Sequence, residues 1–187
     1  MFVLYQHIKW TRDYPTIALN WSKIFNICHF TVNEPKIRFF QFRFIHRILS
    51  TNDYLYKLGY IESPKCSFCK CNDKHETLRH LFWDCSNTRN FWNNVQSYIL
   101  KKEPFFSEQN IMWVFLYGDV AIHNFLILHA KYFIYVCRLQ STLPCHLHFF
   151  RSFTFSLQVE KEILLKRDMY DKFLNMLDAW PAFKEIL

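Results

Sequence analysis

Three thiols and one imidazole at fixed spacing constrain this chain more than any other feature: Cys66-Ser-Phe-Cys69, then His80, then Cys85. A Cys-x2-Cys turn offers two thiolates from one tight loop, and His80-x4-Cys85 offers a second pair. Zinc takes these ligand types, four at a time and tetrahedrally. Lys65, Lys70 and Lys74 flank the loop, and cationic neighbours favour thiolate over thiol. A straight α-helix sets residues five apart about 140° from each other around its axis. The spacing therefore predicts a short helix over 76–83, with Cys85 just beyond its end and Leu78, Leu81 and Phe82 packed beneath the site. His75 and Cys71 are rival ligands. His80 ranks above His75 because the His-x4-Cys pairing needs no extra loop. Four protein ligands leave no open position on the metal, which favours a structural site over a catalytic one.

Around this cluster the pattern is helical. With 187 residues the chain fits one domain, or one domain with a small appended module. Only 2 Gly are present, too few for an all-β fold built on tight turns. Apolar periodicity predicts helices over 16–30, over 35–50 with Ile37, Phe40, Phe44, Ile45 and Ile48 buried, and over 52–57, capped by Thr51 and stopped by Gly59. Further helices are expected from Ser86 to about 101, over 120–140, from the Leu143-Pro144 restart to 167, and over 169–180. Residues 111–117 read equally as strand or helix. The expected fold is all-α, a multi-helix domain with a small Cys-Cys-His-Cys zinc module between helices. Its parts would be basic N-terminal helices (1–60), the zinc module (61–102) and a C-terminal helical region (103–187), with the seam near Lys101-Lys102-Glu103-Pro104.

Other chemistry finds no footing. The chain has no Gly-rich phosphate loop, no His-Glu-x-x-His, no Gly-x-Ser-x-Gly and no convincing carboxylate pair. No catalytic residue is named, and the chain is not expected to be an enzyme. His123 and His129 fall in an apolar stretch as core or rim histidines, and His146 and His148 at a helix start. Seven cysteines, four of them within twenty residues, with no signal-peptide pattern at the start, suggest a reduced, intracellular protein in nucleus or cytoplasm, not a secreted one. The longest apolar stretch, Phe125 to Val136, is broken by His129 and Lys131, so no membrane partner is expected.

Charge points to a polyanion. The net charge is +7, and residues 1–100 carry 13 Lys/Arg against 7 Asp/Glu. Lys36, Arg43 and Arg47 fall at i, i+7 and i+11 on the helix predicted over 35–50. Arg38 and His46 lie nearby, and Phe39, Gln41 and Phe42 interleave. Cations beside aromatics suit phosphate contact with base stacking. The plainer alternative is the solvated face of an amphipathic helix.

The run from Phe42 to Asn52, with its His46-Arg47-x3-Thr51-Asn52, followed by Leu55 and Lys57, the two Cys pairs and Phe91-Trp92, resembles the zinc-binding region at the C-terminus of reverse transcriptases from non-LTR retrotransposons, the long interspersed elements. Lys131 to Leu139, Leu143-Pro144, Lys172-Phe173 and Trp180 are similar to the tail of such proteins. The resemblance implies Cys66, Cys69, His80 and Cys85 as ligands of a structural Zn2+. It implies a nucleic-acid partner, RNA in preference to DNA, with contacts extended to Lys36, Arg38, Arg43, Arg47 and Arg79. No Asp-Asp polymerase motif occurs, so the expectation is a nucleic-acid-handling tail without the catalytic domains. A polymerase domain is then a further candidate partner. The alternative is a structural or protein-interaction fragment of a decayed element.

Overall fold

A computed structural model of the chain describes residues 9–15, 20–69, 74–99, 106–114 and 121–178. These residues are all-α. The helices are α1 (Trp21–Thr31), α2 (Pro35–Ile45), α3 (Asn52–Lys57), α4 (Ser86–Ile99), α5 (Glu108–Trp113), α6 (Ala121–Leu139), α7 (His146–Lys166) and α8 (Tyr170–Asp178). A π-helical turn, His80–Asp84, leads into α4, and residues 9–13 are also helical. The only β-type pairing among the described residues is an isolated antiparallel bridge between Lys65 and His75. The expected seam at 101–104, residues 16–19 and 115–118, Lys70, Cys71 and Trp180 lie outside the described residues.

Helix α6 is the spine, packed against α1, α2, α7 and α8. Ile122, Phe125, Leu126, Ile127, Leu128, Ala130 and Ile134 are all buried along it. A helix that is apolar on every side belongs inside. No helix among the described residues is long and apolar enough to cross a membrane. Lys131 is completely buried in this spine. Its ammonium lies 3.4 Å from the Phe44 ring centroid and donates to Gln41 Oε1 at 3.1 Å and to the Met112 carbonyl at 3.4 Å. Burial pushes its pKa well down. Gln41, expected to interleave with the basic groups outside, instead turns inward to accept this bond.

Helix α2 corrects the expected 35–50 span. It ends at Ile45, and Arg47 adopts a left-handed conformation at φ 54°. The Ile48 amide bonds the Arg43 carbonyl, and the Arg47 amide bonds that of Phe44, both at 3.0 Å. This is a Schellman ending with arginine in the position glycine usually takes. Trp10 Nε1 donates to the freed Ile45 carbonyl at 2.8 Å. The Arg47 guanidinium lies 3.7 Å from the Trp10 ring centroid and reaches Asp13 at 2.6 Å. Ile48 is consequently half-exposed and Leu49 takes the buried place. Helices α6 and α7 end in the same way at Ser141 and Asp168, both at φ 54°, and α3 does so at Gly59, φ 76°, as expected. Of the ambiguous stretch 111–117, residues 111–113 belong to helix α5.

One core cluster runs from Trp10 to Leu177. The cysteine-bearing segment is keyed into it through Phe82, whose ring meets Phe44 edge-on at 5.2 Å and Phe40 at 6.1 Å.

Candidate metal centre

The loop 65–69 is held from three sides. The Lys65–His75 bridge and the Cys66 amide, bonded to the Lys74 carbonyl at 3.2 Å, close its base. Asn52 Nδ2 donates to the Lys65 carbonyl at 2.7 Å, and Asn87 Nδ2 donates to that of Phe68 at 3.1 Å. The second half departs from the expected helix over 76–83. Helical residues begin at 78, and the chain then widens into the π turn, the Cys85 amide bonding the His80 carbonyl at 2.8 Å. An i→i+5 bond aligns residues five apart one above the other, where an α-helix would splay them. This is how His80 and Cys85 come to the same side.

Sγ of Cys66, Cys69 and Cys85 and a ring nitrogen of His80 lie within 4.8 Å of one another. Cys66 Sγ to Cys85 Sγ is 3.9 Å, and Cys69 Sγ to His80 Nε2 is 3.4 Å. Ligand bonds of about 2.3 Å to sulfur and 2.0 Å to nitrogen, arranged tetrahedrally, require about 3.8 Å between sulfurs and about 3.5 Å from sulfur to nitrogen. The donor set and its spacing fit a zinc ion. Cys66, Cys85 and His80 are buried and Cys69 half-buried.

Without a metal the same atoms share protons. The Cys66 S–H donates to Cys85, which pushes Cys85 down. His80 and the amides of Asn87 and Thr88, at the start of α4, act in the same direction. Donation to Cys85, with burial, raises Cys66. His80 is raised by its bond to Cys85 and then by Cys69.

Glu76 was not singled out from the sequence, yet it organises the site. Its side chain has no exposed surface. Oε2 accepts from the Ser67 amide, beside Cys66, at 2.8 Å, and Oε1 accepts from the Asn52 amide at 3.0 Å and from Arg138 Nε at 2.8 Å. Arg138 also donates to Asn52 Oδ1 at 2.6 Å. One carboxylate thus ties the cysteine loop, the start of α3 and the end of α6 together. His75 stands outside the cluster, 58% exposed at its side chain, with Nδ1 3.2 Å from Asp53. Accordingly His75→Ala should leave zinc content unchanged in metal analysis of the purified protein. A loss of bound zinc would make His75 a ligand.

The basic residues prove to have internal partners. Arg38 donates to the Val32 carbonyl at 2.7 Å and the His29 carbonyl at 3.2 Å, capping the end of α1. Arg79 spans to Glu108 at 2.9 and 3.1 Å, fastening the π turn to α5. Arg47 leaves the helical stripe at its left-handed turn. Lys36 pairs with Glu34 at 2.7 Å, and Arg43 reaches Ser50 Oγ at 2.8 Å, its guanidinium 5.8 Å from the Phe39 ring centroid.

Residues 5–92 match a family of protein regions described as zinc-binding in reverse transcriptase. The match takes in all four clustered side chains, ends within α4, and covers slightly less than half of the chain. Comparison with curated proteins and with solved structures returns no match.

Proposed function

We propose that the chain is the zinc-stabilised, nucleic-acid-binding tail of a LINE-type retrotransposon reverse transcriptase, with no catalysis of its own. Cys66, Cys69, His80 and Cys85 hold one structural zinc, and the partner is RNA in preference to DNA. The family match over 5–92 and the tetrahedral spacing of the cluster support the first part. The six cysteines among the described residues form no disulfide, which suits a reducing compartment, nucleus or cytoplasm.

The observation that carries the binding role is the outer face of α2. Phe39 and Phe42 are 62% and 48% exposed there, with Arg43 against Phe39 and Lys36 one turn before it. An exposed aromatic next to a cation forms a stacking platform for an unpaired base, at about 1–3 kcal/mol per base. Arg38 and Arg47 are engaged within the fold, while the side chains of Lys36 and Arg79 stay 59% and 55% exposed beside Glu34 and Glu108 and remain candidate phosphate contacts together with Arg43.

Mobility shift with structured RNA over a salt series tests this. Affinity should fall steeply as salt rises, and DNA of the same sequence should compete less well. Phe39→Ala/Phe42→Ala should weaken binding at least tenfold with an unaltered melting curve. No binding at low salt, or binding indifferent to salt, would overturn the proposal.

A second reading, a protein-interaction fragment, is favoured by Phe30, Tyr60 and Phe155, which are exposed elsewhere on the surface. Persistent aggregation in size-exclusion chromatography, with no nucleic-acid affinity, would select it.

A further inference from the structure

Two long stretches of this chain carry no carboxylate. Every Asp and Glu lies outside 85–99, which holds α4, and outside 121–159, which holds α6 and most of α7. The fold brings α4 and α7 together: Phe91 meets Phe149 edge-on at 5.5 Å, and Tyr98 stacks on Phe150 with centroids 4.3 Å apart. The two helices thus share one acid-free surface, most of it beyond the segment 5–92 that matches the reverse-transcriptase region. The nearest acid along the chain, Asp84, is paired with Arg79 at 3.4 Å.

Opposite its buried side, α4 exposes Arg89, Asn90, Asn93, Asn94 and Ser97. Asn and Ser are poor helix formers, and a merely solvated helix face gains more from Glu and Lys set four residues apart. The three Asn and Ser97 make no side-chain hydrogen bond among the described residues, so nothing inside the described fold accounts for them. A local rule broken without a structural gain marks a functional surface. Cations and aromatics stand at both ends of this row. The Arg89 guanidinium lies 5.1 Å from the Trp83 ring centroid. Tyr98 stays 56% exposed although it stacks on Phe150, and Arg151, exposed beside Phe150, makes no ion pair among the described residues.

We propose that the acid-free face of α4, with Arg151 of α7 beside it, docks on the minor groove of a paired RNA segment. The proposal rests on the nucleic-acid reading of the chain and adds a second, duplex-binding surface to it, apart from the stacking platform on α2. Charge complementarity selects a polyanion, because no carboxylate on either helix face would repel its phosphates. The amides select the groove. Each Asn offers donors and an acceptor together. The A-form minor groove is wide and shallow and displays 2′-hydroxyls, themselves donors and acceptors, along with base edges. Arg89 and Arg151 then take flanking phosphates, which position the helix without reading sequence. A DNA duplex lacks the 2′-hydroxyl and offers the amides fewer partners.

The test is fluorescence anisotropy of the full, zinc-supplemented chain with three labelled probes: a blunt-ended RNA duplex, the DNA duplex of the same sequence, and an unpaired RNA. The parent should bind the RNA duplex more tightly than the DNA duplex. Asn90→Ala/Asn93→Ala/Asn94→Ala should weaken the RNA duplex by about tenfold or more, the loss of three hydrogen bonds. Its salt slope should not change, because amides release no counterions. Its melting midpoint should equal or exceed the parent's, because alanine is the better helix former. Arg151→Gln should instead lower the salt slope by about one. Equal RNA-duplex affinity in the parent and the triple variant, or equal binding of RNA and DNA duplexes, would overturn the face. So would a parent dimer that the triple variant turns into a monomer, which would make the occupant a second copy of the chain. Binding of unpaired RNA without the duplex removes this face alone, whereas no binding of either RNA removes the wider reading with it.

Discussion

Cys85→Ser should bring bound zinc from one per chain to near zero and unfold the segment around it. Structural zinc contributes about 10–16 kcal/mol of apparent binding free energy in small zinc modules, while whole domains are stable by only about 5–15 kcal/mol. Losing one of four ligands therefore threatens more than the loop. Cys85 is fully buried and stands at the entrance to α4, its carbonyl accepting from the Arg89 amide at 2.8 Å. Thr88 Oγ1 donates to the Leu81 carbonyl at 2.8 Å, and Trp92 Nε1 donates to that of Phe82 at 2.9 Å, so α4 and the π turn hold each other in place. Phe82 continues that coupling into the rings of Phe44 and Phe40. Metal analysis should report the loss, and amide exchange should report lost protection across 65–95 with damage reaching α2. Cys66→Ser should behave in the same way, as should the parent chain under a strong chelator. Cys145→Ser, outside the cluster, should keep its zinc. Unchanged zinc content in Cys66→Ser and Cys85→Ser would show that the ligand set is wrong.

The side chains of this cluster were legible because metal chemistry leaves a mark in residue type and spacing. The same spacing did not reveal how the backbone would satisfy it. A π turn forms when one extra residue is accommodated between His80 and Cys85, and no local composition announces it. Helix ends divided along similar lines. Gly59 advertised its left-handed turn. Arg47, Ser141 and Asp168 adopt the same turn without glycine, and at Arg47 the reason lies in distant partners, Trp10 and Asp13. The basic stripe loses Arg47 for that reason, because helical periodicity carried it two residues past the end of α2, while Lys36 and Arg43 stay on the helix. Lys131 was similarly hidden, since a lysine among Ile, Leu and Phe reads as an interruption of the apolar run until Gln41 and Met112 are seen to accept its bonds. Periodicity reports which face is apolar, and long-range hydrogen bonds decide where polar exceptions go.

Glu76→Ala should be the most destabilising single change that touches no candidate metal ligand. Alanine strands Arg138, almost fully buried, without its carboxylate, and leaves the amides of Ser67 and Asn52 with no acceptor. Removing one partner of a buried ion pair costs about 3–5 kcal/mol. That is a large share of a domain's stability. A second consequence is specific to the site. The Ser67 amide is the backbone group next to Cys66, and outer partners that orient a metal ligand are worth about 10–100-fold in metal affinity. Zinc competition with a chromophoric chelator should therefore show weakened binding, and thermal melting a lowered midpoint. Glu76→Leu combined with Arg138→Met removes both charges, so it should recover part of the stability while leaving zinc affinity low, because the Ser67 amide still lacks its acceptor. That split separates the carboxylate's two roles: the ion pair holds α6 to the loop, and the bond to Ser67 sets the cysteine turn. A Glu76→Ala protein that melts with the parent and binds zinc equally well would mean that the loop is held by the metal alone.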